Sequence, residues 1–88
     1  TVVLNNGTMA VETESMADSH RLFNARDLGG NYADMARAMG GYAERIEDPS
    51  QVCGAFQRAR RVTEEEGRAV LLEFITTPET AVSHRRPF

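Results

Sequence analysis

At 88 residues and a formal net charge of −3, the chain holds material for one small domain, and its acidic balance disfavours a phosphate-backbone binder, which carries a basic face. Hydrophobic residues make up 41% and charged ones 26%, the balance of a globular protein, and no apolar run approaches the ~20 residues that span a bilayer. The single cysteine, Cys53, excludes an intramolecular disulfide and a cysteine metal cluster, so a cytoplasmic setting with Cys53 as a buried thiol is expected.

Thr1-Val2-Val3-Leu4 is β-branched and stops at the turn cluster Asn5-Asn6-Gly7, which reads as the end of a buried strand. With neither an initiator Met nor a basic leader, this start points to a piece cut from something longer. From Met9 to about Ala17 the positions Met9, Thr13, Met16 and Ala17 share a helical face, and a helix is expected there. Ser19 to Gly30 has no sustained period and several breakers, so it reads as a long connection. Asn31 has the chemistry of an N-cap, with Asp34 in the first turn. Tyr32, Met35, Ala36 and Met39 fall on one face before Gly40 supplies a stop.

Gly41 to Ile46 reads as a short edge strand. Asp48-Pro49-Ser50-Gln51 then offers an N-cap, a proline at the first helical position and a glutamine able to close a capping box. Val52, Ala55, Phe56, Ala59 and Val62 form the apolar face of the helix that follows, and Gly54 inside it suggests tight packing on a sheet. The run Arg58, Arg60, Arg61 is offset by Glu64, Glu65 and Glu66, as on a solvated helix face. Ala69 to Ile75 is nearly continuous apolar sequence, the pattern of a strand covered on both faces, and it ends at Thr76-Thr77-Pro78.

The expected fold is α/β: a mostly parallel three-stranded sheet with flanking helices in the order β-α-α-β-α-β over residues 1–77, then an extended tail over 78–88 that could lie on a partner. Three strands leave long edges bare, the anatomy of a fragment.

In open α/β sheets ligands sit beyond the carboxyl ends of the strands, and Asn5-Asn6-Gly7-Thr8 occupies such a place. A carboxamide oxygen is a neutral hard donor suited to Mg²⁺, which often bridges protein oxygens to phosphate. Glycine lets backbone carbonyls come close, and a helix start can hold phosphate through its unpaired N–H groups. The same four residues also make an ordinary strand-ending turn.

Val3-Leu4-Asn5-Asn6-Gly7-Thr8 followed by Glu12, the segment from Tyr32 to Gly40, Ile46-Glu47-Asp48-Pro49, and the segment from Gly67 to Glu73 occur in one order along the chain. Together they resemble the C-terminal end of the diphosphate-binding domain of thiamine-diphosphate-dependent enzymes, the superfamily of acetolactate synthase and the 2-oxoacid decarboxylases. The resemblance covers about residues 1 to 76. It implies that Asn5-Asn6 closes the motif whose opening half is Gly-Asp-Gly. By that resemblance Asn6 gives a side-chain oxygen and Thr8 a backbone carbonyl to Mg²⁺, while Gly7, Met9 and Ala10 line the phosphate end of thiamine diphosphate. Glu12 takes a position where some relatives carry an acidic residue facing the substrate, a small 2-oxo acid; its alternative is an exposed helix glutamate.

Gly-Asp-Gly is absent from these residues, so the aspartate ligand of the pattern must come from elsewhere. The resemblance thus implies a fragment that is inactive alone and completed by the remainder of the enzyme or a homologous subunit, in a family of dimers and tetramers. The other reading is a small non-catalytic α/β module that docks on a larger partner through its sheet edges and tail. His20 is expected in a loop, exposed or over a substrate, and His84 in the tail. Met9, Met16, Met35 and Met39 read as core filling.

Overall fold

The computed structural model describes residues 1–10 and 15–79. It divides into two compact units, one formed by Thr1–Asn5 and Asn31–Thr76, the other by Asn6–Gly30 and Thr77–Phe88. In the first, three parallel strands pair in the spatial order β1 (Val2–Asn5), β3 (Val70–Ile75), β2 (Tyr42–Ile46). Val2 stands opposite Leu72, and Tyr42 opposite Val70. The apolar run from Val70 is therefore central, with Leu72 and Glu73 fully buried.

Side chains alternate between the faces of a strand. Leu72 joins Ile46 and Ala55 in the core, flanked by Val52, Ala59, Val70 and Phe74, so this face is covered by α3 (Val52–Glu66). Glu73 points to the opposite face and meets α2 (Tyr32–Ala38), whose Ala33 is wholly buried. Helices on opposite faces are what right-handed crossovers require when the chain steps across β3 to β2 and then back.

The helix starts have local causes. The Asn31 side chain accepts the Asp34 N–H at 3.0 Å. Asp48 accepts the Ser50 N–H at 2.9 Å and opens a 3-10 turn, Pro49–Gln51, that runs into α3. Gly40 and Gly67 follow α2 and α3 with φ of +86° and +63°, the left-handed conformation that ends helices.

Several expectations need correction. β1 is an edge strand, with Val2 48% and Leu4 70% exposed rather than buried. Met35 and Met39 lie outside the core, because α2 presents small alanines to the sheet and turns its methionines outward. Met9 is exposed too, as is the Cys53 thiol. Gly54 approaches no strand: a Cβ there would meet the Arg58 guanidinium at 3.1 Å.

In the second unit, α1 spans Ala17–Phe23. It lies in what reads as a connection, and later than the helix expected from Met9. None of its residues is buried, and Leu22 and Phe23 are 60% and 78% exposed, so it leaves no apolar period in the sequence. Asn24 closes it with φ 51°. No helix among the described residues is long and apolar enough to cross a membrane.

Candidate functional site

The adjacent carboxamides that end β1 have separate tasks. Asn5 belongs to the sheet: its Nδ2 donates to Glu73 Oε2 at 2.6 Å and its carbonyl accepts the Thr76 N–H at 3.0 Å. Asn6 belongs to the turn. Its Oδ1 accepts the Thr8 N–H at 3.1 Å, an Asx-turn closed over Gly7, whose φ of +71° glycine adopts without a steric penalty.

A two-residue ladder then braces the turn. Met9 N–H donates to the Arg26 carbonyl and Leu28 N–H to the Gly7 carbonyl, each at 2.9 Å, on either side of an antiparallel bridge between Thr8 and Asp27. A residue at the centre of such a pair turns its own N–H and C=O away from the opposite strand. The Thr8 carbonyl consequently lies outside the ladder. The buried Thr8 hydroxyl donates to the Arg26 carbonyl at 3.1 Å and accepts from Arg26 Nε at 3.0 Å. Ala10 is buried, and Gly7 and Met9 are exposed. Glu12 and His84 lie outside the described residues.

No family model matches this chain, and no solved structure matches it significantly.

The donor set can be tested against a divalent ion. An amide oxygen carries two lone pairs, so Asn6 Oδ1 keeps one direction beyond its bond to Thr8, and the Thr8 carbonyl adds a second neutral oxygen. Mg²⁺ demands six oxygens in octahedral array. Among the described residues no three His, Cys, Asp or Glu side chains gather to hold a metal. The turn thus offers two neutral oxygens, and phosphate oxygens, water and a carboxylate from elsewhere would have to complete a shell.

Glu73 was not legible as a special residue, yet it ties three elements together. Its side chain is 0% exposed. Oε2 takes the Asn5 amide and lies 3.8 Å from Arg45 Nη1, while Oε1 accepts the Ala33 N–H in the first turn of α2 at 3.0 Å. A charge inside an apolar strand run was the available signal, because a buried carboxylate has to be partnered. Arg26 left no such signal, since its pairing with Thr8 is non-local.

On the opposite sheet face Glu44 accepts from Arg58 Nη2 at 2.8 Å and from the Tyr42 hydroxyl at 3.0 Å. The Arg58 guanidinium holds the Glu44 carboxyl below its ordinary range, and burial, then the Glu44 hydrogen bond, pushes the Tyr42 hydroxyl up. Arg58 thus leaves the solvated helix face to brace β2, whereas Arg60 stays on it and pairs with Glu64. His20 sits in α1 rather than a loop, and its enclosed Nδ1 has no hydrogen-bond partner among the described residues.

Proposed function

We propose that the chain is the C-terminal part of a thiamine-diphosphate-binding domain and supplies one side of the Mg²⁺-diphosphate anchor of a 2-oxo acid decarboxylase or carboligase. The observation that carries the reading is the Asn6-Gly7-Thr8 turn. It continues directly from the carboxyl end of a parallel strand and offers an amide oxygen and a carbonyl left outside the ladder. Asn6 and Thr8 would bind the ion, with Gly7, Met9 and Ala10 beside the phosphates. The cofactor, when bound, would supply the carbanion-stabilising chemistry that 2-oxo acid decarboxylation or carboligation needs, and Asn6 and Thr8 would hold its diphosphate through the ion. The acidic residue at position 12 would face the substrate.

The test pairs the chain with the segment that completes the domain and titrates thiamine diphosphate with and without Mg²⁺. Binding should require the metal and disappear in Asn6→Ala; an undiminished Asn6→Ala removes the residue from the site. Sequence encoded directly upstream of Thr1 gives a second check, since the reading requires Gly-Asp-Gly there at the end of a strand.

A second reading has its own support. Val2 and Leu4 are exposed on an edge strand, and Val2 joins Phe56, Ala59, Val70 and Leu72 around an open groove of about 550 Å³. A non-catalytic module docking there would bind its partner equally well without Mg²⁺ and cofactor. Pull-down with and without both distinguishes the two readings.

A further inference from the structure

We propose that Arg26 is a phosphate-binding residue, its guanidinium fork taking oxygens of a diphosphate held at the Asn6–Thr8 turn. The proposal rests on that turn being a phosphate anchor, and it adds a positive group to a site so far composed of neutral oxygens.

Arg26 is fixed to the turn from both ends. Its carbonyl receives the Thr8 hydroxyl at 3.1 Å and the Met9 N–H at 2.9 Å, and its Nε returns a hydrogen bond to the same hydroxyl at 3.0 Å. The side chain therefore folds back over Thr8, and one donor of five is committed to the protein. The two Nη groups make no hydrogen bond or ion pair with any described residue, although Asp27 is the next residue in the chain. Other arginines do find carboxylates, as Arg37 finds Asp34 and Arg58 finds Glu44. Arg61 is also without one among the described residues, but it stands exposed on α3, far in sequence from any turn of this kind. Arg26 is half-buried.

A guanidinium held by Nε with its fork end open is pre-organised for planar, two-point contact with phosphate oxygens, which a flexible lysine provides only as a point charge. It also answers a charge problem. Two neutral oxygens and one divalent ion leave the more negative diphosphate under-compensated, and a fixed cation beside the same turn reduces that excess. The charge balance favours a diphosphate over a carboxylate, because a diphosphate carries more negative charge and more oxygens to share between an ion and a guanidinium.

The experiment titrates the full chain with inorganic pyrophosphate, with and without Mg²⁺, by calorimetry and by ¹⁵N NMR of the arginine Nε–H resonances. Wild-type chain should bind, the Arg26 Nε–H resonance should move on saturation, and affinity should fall steeply with salt. Arg26→Gln should weaken binding roughly tenfold or more and flatten the salt dependence, with Arg26→Lys in between. Should a variant fold poorly, the wild-type Nε–H resonance decides alone: no movement at saturation overturns the proposal, as does an absence of pyrophosphate binding.

Asn6→Ala separates this claim from the cofactor reading. Loss of Mg²⁺ dependence in that variant with Arg26-dependent binding retained supports both. Binding that depends on Arg26 but never on Mg²⁺ or Asn6 supports Arg26 and counts against the metal anchor. Binding lost in Asn6→Ala and unchanged in Arg26→Gln overturns the Arg26 assignment and leaves the anchor standing.

Discussion

Glu73 concentrates more structural consequence than any other single side chain described. Its two oxygens face donors from β1 and α2, with Arg45 of β2 within 3.8 Å. Glu73→Gln keeps the shape but sets an NH₂ group against one of those donors, and should cost about 1–3 kcal/mol; Glu73→Ala, which leaves both donors unsatisfied, should cost more than Glu73→Gln. Urea denaturation reads both. The Glu44–Arg58 pair gives a pH signature instead. Because the Arg58 guanidinium holds the folded Glu44 carboxyl below the ordinary carboxylate range, the pair's contribution is fully present above that range and is lost as pH falls through the lower folded value. Arg58→Ala should be less stable than wild type near neutrality, with the difference shrinking in acid, as measured by urea midpoints across pH. Residues acting on their own neighbours were legible: Asn31 and Asp48 cap helices through bonds to backbone two or three positions away. Asn5 was legible only as half of a turn, because the partner that claims it lies 68 positions along the chain.

At the scale of elements, sequence pattern worked where burial imposes a period and failed where it does not. The apolar face of α3 and the continuous run of β3 mark elements whose side chains meet a core. α1 buries nothing, so its boundaries had no hydrophobic record, and the breakers that argued for a loop include Asn24, its left-handed end. α2 is legible from its cap, but its inward face is not: Ala33 fits the close approach to Glu73, whereas Met35 and Met39 stay outside. The helix ends are open to a direct test. Gly67 has φ +63° and space where a Cβ would go, so Gly67→Ala pays conformational strain alone, about 1 kcal/mol. The melting temperature should drop by several degrees without loss of helix signal.

The unit that carries the sheet has a thin core among the described residues, with Leu72 packed with Ile46 and Ala55. Leu72→Ala should cost about 2–5 kcal/mol, a large part of what a domain of this size has in reserve. The parallel sheet was readable from buried strands alternating with helices. The placement of β3 between the other two was not, because nothing in a strand's own composition names its neighbours. That placement bears on how the protein comes into being. β1 and β2 share no ladder of their own, and the strand that joins them is the last of the three to leave the ribosome. A nascent chain halted at Gly67 would hold its helices beside two solitary extended segments, and circular dichroism of the 1–67 peptide should find no cooperative melting. Until β3 emerges, β1 and β2 have no strand to pair through.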